Sequence, residues 1–392
     1  MRALSLFSGI AGLDLAAHAA GIETVAFCEI EPFAVQVLER RWPGVPIIDD
    51  VRKIRGCDWT VDVVHGGFPC QDLSVAGKQA GLEGERSGLW YEMLRVISEL
   101  RPRYVLAENV RGAVNLALDT VYSNLVNEGY KVYPYVIPAS AVGAPHQRER
   151  LFVLGVRRDV ADPFAERLQR GERGYAFLEQ GAPALEPASE RCEGSLWPTP
   201  RAGKTSDEKL DSWLARRERG EVATPPLSLA VRMWATPSSA DCKGSHGGGQ
   251  GRSLRTDIHE IRKMWPTPFA SSATIQDMEQ AKFSGNDPNR PKYSEVKSVG
   301  SLNPAWVEIL MGYPLGWTDP DCDEPEPWPG WPAMMGESQY PYEPPRTGTG
   351  IPHRAARLKA LGNSVVPAQA YPFFEAIRIM EEVRQWSTKS ST

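Results

Sequence analysis

The first twenty residues, "MRALSLFSGIAGLDLAAHAA" (1–20), decide the fold. Ala3–Phe7 is a short apolar run with strand character, and Ala11–Ala20 repeats apolar residues at helical spacing. Between them Gly9 and Gly12 let the backbone turn tightly, so the new helix begins with its N-terminus open to a charged ligand. Dinucleotide-binding, methyl-donor-binding and purely structural turns all share this unit, so the turn alone leaves its ligand open. Ser5, Ser8, Gly9 and Asp14 interrupt the apolar stretch, which therefore does not read as a secretory signal.

The alternation continues outward from this unit. Further strands are expected at Thr24–Cys28, Pro46–Ile48, Val61–His65, Arg103–Ala107, Lys131–Ile137 and Leu151–Val156. Helices are expected at Pro32–Arg41, Gly88–Leu100 and Val114–Asn127. Strand and helix in turn predict an α/β fold whose largely parallel sheet is covered by helices on both faces. In such sheets ligands lie beyond the carboxyl ends of the strands.

Composition narrows the class. Hydrophobic residues make up 42% and charged residues 24% of 392, the balance of an ordinary globular chain with room for more than one core. No apolar run approaches membrane-spanning length. Cysteines 28, 57, 70, 192, 242 and 322 never fall as CxxC and have no clustered histidines, which argues against zinc and against a disulfide scaffold. A reducing compartment follows as the expectation. Net charge is −5, yet residues 192–300 hold 16 Lys/Arg against 13 Asp/Glu, a net of +3 that leaves −8 elsewhere. That excess is too weak to identify a nucleic-acid surface.

The predicted strand ends carry the chemistry. Glu29 or Glu31 in "FCEIE" is placed to accept from ribose hydroxyls, and Asp49 and Asp50 in "IIDDV" from an exocyclic amine. Any one of these carboxylates alone reads more readily as a solvated loop charge. A glycine turn and two acids on three successive strand ends together favour a cofactor containing a nucleoside. Glu108 closes the apolar strand "RYVLAENV", where low-dielectric surroundings would raise its pKa; helix capping is the alternative role. In "HQRERLFVLGV", strand alternation places Arg148 and Arg150 on one face with Glu149 opposite, suited to oxygen atoms or to a surface ion-pair ladder. Cys70 follows "HGGFP" at the mouth of the sheet, where a thiol suits nucleophilic attack, although an isolated cysteine is more often a small buried apolar residue.

"FSGIAGLD", "FPCQDLSVAGK", "ENV", "QRERLFVLG", "LMGYP" and "LGNSVVP", in this order, resemble the ordered blocks of the DNA (cytosine-5) methyltransferases. The resemblance covers residues 1–158 and 301–377. It implies a Rossmann-like S-adenosylmethionine-dependent methyltransferase sheet with helices on both faces, plus a smaller irregular target recognition domain. It also implies methyl transfer to carbon 5 of cytosine in duplex DNA, with the target base flipped out of the stack. Cys70 matches the nucleophile that adds to carbon 6. Glu108 matches the acid at the ring nitrogen and amino edge, Arg150 the arginine at the carbonyl oxygen, and Arg148 its neighbour. S-adenosylmethionine is the implied cofactor, with Phe7, Gly9, Ile10, Gly12, Glu29, Asp50, Val51, Pro69, Asn363 and Ser364 matching its pocket. Gln71 and Ser74, at the base of a loop resembling the family's mobile loop, and Thr274 match DNA-contacting positions. Ser5 and Ala11 depart from the family's common acid and glycine, and "SLNPAWVEILMGYP" departs from its usual lead-in.

The resemblance divides the chain into a catalytic and cofactor domain (1–160), a variable target recognition domain (161–300), a helix with an acidic Pro-rich surface insertion (301–351), and a C-terminal segment (352–392) that returns to the catalytic domain. Within the middle, Trp-x-Thr-Pro recurs at 197, 234 and 265, and the tryptophans read as packing a small core in preference to stacking on bases. Duplex DNA is the expected partner, with no membrane and no metal. A cognate restriction endonuclease is a candidate partner. The expected state is a monomer in the cytoplasm of a bacterial or phage-infected cell. Two rivals stay open: methylation of a transfer-RNA cytosine by the same motifs, and a catalytically silent DNA-binding relative.

Overall fold

Apolar residues in the strands alternate between two helical layers, and this sets the architecture. The computed structural model describes residues 1–69, 88–115, 117–160, 196–201, 210–219, 226–233, 301–335, 337 and 339–389. Seven strands, β1 (Arg2–Leu6), β2 (Glu23–Cys28), β3 (Ile47–Ile48), β4 (Val63–Gly67), β5 (Tyr104–Val110), β6 (Tyr130–Ile137) and β7 (Arg150–Arg157), form one sheet in the order β3-β2-β1-β4-β5-β7-β6. The first five run parallel, and β7 lies antiparallel between β5 and β6.

One face of the sheet, through Leu4, Leu6, Val64, Val105, Ala107 and Val153, packs on α3 (Gly88–Leu100) and α4 (Leu118–Asn127), which contribute Trp90, Met93, Val96, Ile97, Val121 and Leu125. The opposite face, through Ala3, Val63, Tyr104, Leu106, Phe152 and Leu154, packs on α1 (Gly12–Ala19) through Leu13, Ala16 and Ala17. Strands apolar on both sides are what a buried parallel sheet requires. Each fully buried valine, leucine, isoleucine, phenylalanine or methionine among them contributes roughly 1.5–3 kcal/mol.

The expected strands and helices are present, with informative differences. β5 continues past Ala107 to Val110, so Glu108 and Asn109 are strand residues held in register against β4 and β7. The helix expected from Val114 begins at Leu118, after a 3-10 turn over Arg111–Asn115. Alternation does not reach Arg148, which precedes β7 with a left-handed φ of 29° and does not share a strand face with Arg150.

The remaining described helices are α2 (Pro32–Arg41), α5 (Leu210–Glu218), α6 (Leu227–Met233), α7 (Pro304–Leu310), α8 (Arg354–Asn363) and α9 (Pro367–Lys389). Asn303 caps α7 through its side chain, and α9 lies along α1 with Phe373, Phe374 and Ile377 in the core. Nothing in the sequence reading anticipated α8. A second core gathers α2, α6, α7 and α8 around Trp306, Trp317 and Trp331. Trp197 belongs to it, edge-on to Trp306 with the Arg346 guanidinium 4.8 Å from its ring centre, so the first Trp-x-Thr-Pro unit packs a core as expected. The units at 234 and 265 lie outside the described residues. The Pro-rich stretch is more than a surface insertion. Asp321, Asp323 and Glu324 face solvent, whereas Trp331 and Ala333 are buried.

Glu308, fully buried on α7, accepts from Gly316 N (2.7 Å), Thr318 N (2.8 Å) and the Arg357 guanidinium (3.0 Å). Arg357→Met strands that carboxylate without its counter-charge and is expected to cost about 3–5 kcal/mol. Urea denaturation should show the loss, and combining Arg357→Met with Glu308→Leu should recover most of it. An unchanged midpoint in the single variant would contradict the assignment.

Candidate active site

The carboxyl ends of β1, β2, β4 and β5 and one face of α8 enclose an open cleft of about 1240 Å³. That exceeds the roughly 300–1,000 Å³ of most small-molecule pockets. Phe7, Gly9, Ile10, Gly12, Glu29, Asp50, Val51, Pro69, Glu108, Arg150, Asn363 and Ser364 all line it. Arg148 does not. Cys70, Gln71, Ser74 and Thr274 lie outside the described residues.

The loop after β1 is strained and braced. Phe7, Gly9 and Ala11 have φ of 53°, 54° and 64°, left-handed values that glycine tolerates and the other two hold at a cost. Glu29 fixes one side of the loop, accepting from Gly9 N at 2.6 Å. From the other side, Trp317 Nε1 donates to the Ile10 carbonyl at 2.9 Å. Gly12 is pressed against the C-terminal half: a side-chain carbon there would sit 2.3 Å from the Tyr313 hydroxyl. Ser5, which stands where the family commonly has an acid, donates to the buried Asp14 carboxylate at 2.9 Å. No side chain caps the N-terminus of α1, and Gly12 and Leu13 of its first turn face the cleft, so its N–H groups suit a negatively charged ligand.

At the β2 and β3 ends, Asp50 caps the following 3-10 turn and accepts from the Arg52 guanidinium at 2.7 Å, which holds its carboxyl below the usual range and therefore ionised. The sequence reading missed Ile30, which is 73% exposed on the cleft wall that also carries Val51. Its signal was an apolar residue set between the two glutamates of "EIE", in a place where water has access.

Glu108 and Arg150 meet within the cleft. Arg150 Nε lies 2.9 Å from Glu108 Oε1, with the two side chains only 11% and 14% exposed. Burial pushes the Glu108 carboxyl up against the opposing pull of Arg150 and Arg148. Neighbouring Asn109, also missed, is buried and donates from Nδ2 to the Phe68 carbonyl at 3.1 Å, bracing the turn that leaves β4. Arg148 has a different setting from its neighbour. It is 3% exposed, and its guanidinium donates to the carbonyls of Pro200 (2.9 Å), Gly362 (2.9 Å) and Ser364. It ties the Trp197–Pro200 segment to the turn between α8 and α9.

Strand order and the cleft at the strand ends define a Rossmann-like α/β fold of the methyltransferase type. Of solved structures, DNMT2 of Spodoptera frugiperda matches with a TM-score of 0.51 at 15% identity, covering 96% of this chain and 99% of that one. The chain belongs to the C-5 cytosine-specific DNA methylase family, whose model matches residues 1–177. The type II methyltransferase M.NgoFVII of Neisseria gonorrhoeae is 38% identical over 170 residues, 42% of this chain and 46% of the relative. M.AquIA of Picosynechococcus sp. is 31% identical over 189 residues, 42% of this chain and 75% of the relative. The chain spans between two fifths and one half of the length of the relatives that match at 38–40% identity.

Proposed function

We propose that the protein transfers a methyl group from S-adenosylmethionine to carbon 5 of cytosine in a specific duplex DNA sequence. The observation that carries this reading is the largely shielded Glu108–Arg150 ion pair, set in the same cleft as a braced glycine loop and the acceptors Glu29 and Asp50. Glu29 and Asp50 would hold ribose hydroxyls and an adenine amine, Ile30 and Val51 would cover the ring, and the N-terminus of α1 with Asn363 and Ser364 would hold the amino-acid end. S-adenosylmethionine would supply an electrophilic methyl group.

The chain's own residues do the rest. Carbon 5 of cytosine is not nucleophilic until a thiolate adds to carbon 6, the role of Cys70. Glu108, whose carboxyl burial pushes towards the protonated form, hydrogen-bonds the ring nitrogen as electron density moves onto it, and Arg150 holds the carbonyl oxygen. Loss of the carbon-5 proton then expels the Cys70 sulfur and restores the ring. Reaching the base requires its extrusion from the duplex. Among the described residues no helix is long and apolar enough to cross a membrane, and no cluster of three metal-binding side chains occurs. A bacterial cytoplasm is the proposed setting.

Tritiated methyl transfer onto duplex DNA and onto total tRNA tests the substrate. Label in DNA alone is expected, and label confined to tRNA would overturn the DNA assignment. Bisulfite sequencing of an expressing host then reads the recognition sequence.

A further inference from the structure

The two glycines at the end of β4 stand in different surroundings. Gly66 pairs with Leu6 of β1, and a side-chain carbon built on it would lie 2.3 Å from the Leu6 backbone carbonyl oxygen. Backbone cannot yield at that distance, so Gly66 serves the sheet. Gly67 pairs with Glu108 of β5. Among the described residues, a side-chain carbon there would meet only Glu108, at 2.7 Å from Oε2 and 3.9 Å from Cδ. Its backbone is not in the left-handed region, so glycine is not required at 67 by the chain's path. What it provides is space, and the Glu108 carboxylate fills that space.

We infer that Gly67 is a positioning residue for Glu108, its missing side chain forming the floor on which the carboxylate rests beside Arg150. The inference rests on the methyltransferase reading for its kinetic consequences, though not for its geometry. A methyl group at 67 must push Oε2 away, since carbon and oxygen do not rest 2.7 Å apart. The displaced group is the far end of a flexible side chain, so the fold yields cheaply. The Arg150 Nε to Oε1 contact of 2.9 Å, by contrast, is lost or tilted. A misplacement of about 1 Å in a catalytic group can cost about 10²-fold in rate. The signature is therefore a rate defect without a stability defect.

The test is Gly67→Ala in the full chain, read by kcat, cofactor affinity from calorimetry and thermal melting, with Gly66→Ala as the structural control. Expected for Gly67→Ala is a fall in kcat on the order of 10²-fold, with cofactor affinity within about twofold and melting close to wild type. Gly66→Ala should melt early. Adding Gly67→Ala to Glu108→Ala should cost no further rate, because the carboxylate it displaces is gone. Wild-type kcat in Gly67→Ala would overturn the inference, as would an equal loss in both backgrounds. If Gly67→Ala fails to fold, folding of the Gly67→Ala/Glu108→Ala pair supports the contact, and failure of both overturns it. If wild-type protein methylates neither DNA nor tRNA, the functional reading falls. A crystal structure of Gly67→Ala then decides the inference by itself: a displaced Glu108 carboxylate supports it, an unmoved one overturns it.

Discussion

Replacing Cys70 by serine is expected to abolish methyl transfer, a loss on the order of 10⁴-fold or more, while cofactor binding measured by calorimetry stays within about twofold. The size follows from the ring chemistry. Without an adduct at carbon 6, carbon 5 has no electron density to offer, and no hydrogen bond from Glu108 or Arg150 replaces a covalent bond. A serine hydroxyl is a poor substitute, since its alkoxide is scarce at neutral pH whereas a thiolate is accessible. Cofactor affinity should survive because the loop after β1, Glu29 and Asp50 are built from other strands. Activity near the wild-type level would remove Cys70 from the reaction.

Glu108→Gln is expected to lower kcat on the order of 10²–10⁴-fold and to change the shape of its pH dependence. Burial raises the Glu108 pKa, so the protonated form persists to higher pH than in a free glutamate. If the proton is what the reaction needs, activity is full below that raised pKa and falls as pH climbs through it. Ionisation of the Cys70 thiol works in the opposite sense, and the two together give a bell. Glutamine keeps a donor but cannot titrate, so the falling limb assigned to Glu108 should vanish while the rising limb stays. A bell retained unchanged in Glu108→Gln would assign the falling limb to another group.

Much of the sheet was legible because both of its faces are apolar. Short, bounded apolar runs such as Tyr104–Ala107 and Leu151–Val156 read as interior strands, and α2 and α3 begin and end where their sequence patterns begin and end. The antiparallel placement of β7 was not legible, since alternation carries no direction. Helix α8 was hidden by weak amphipathicity, its buried face being only Arg357, Leu358 and Leu361.

The cleft residues were legible from motif and strand-end position, but their partners were not. Trp317 reaches Ile10 across 307 positions, and Asp14 reaches Ser5 from the next helix. Long-range contacts of that kind leave no local trace. Arg148 shows the limit most plainly. Two arginines spaced as strand neighbours looked equivalent, yet one left-handed φ sends the first into a nest of carbonyls and leaves the second beside Glu108. Gly67 entered the sequence reading only as a letter of "HGGFP", because a residue that acts through empty space has no side chain to notice.

The most direct test of the covalent route is to incubate the enzyme with S-adenosylmethionine and a duplex carrying 5-fluorocytosine at its own target position, then digest and analyse it by mass spectrometry. Fluorine cannot leave as a proton does, so the carbon–sulfur bond should persist, and the account predicts a peptide spanning residue 70 that carries the methylated fluorocytosine. Recovery of that peptide unmodified, from enzyme that methylates the unfluorinated duplex, would contradict it.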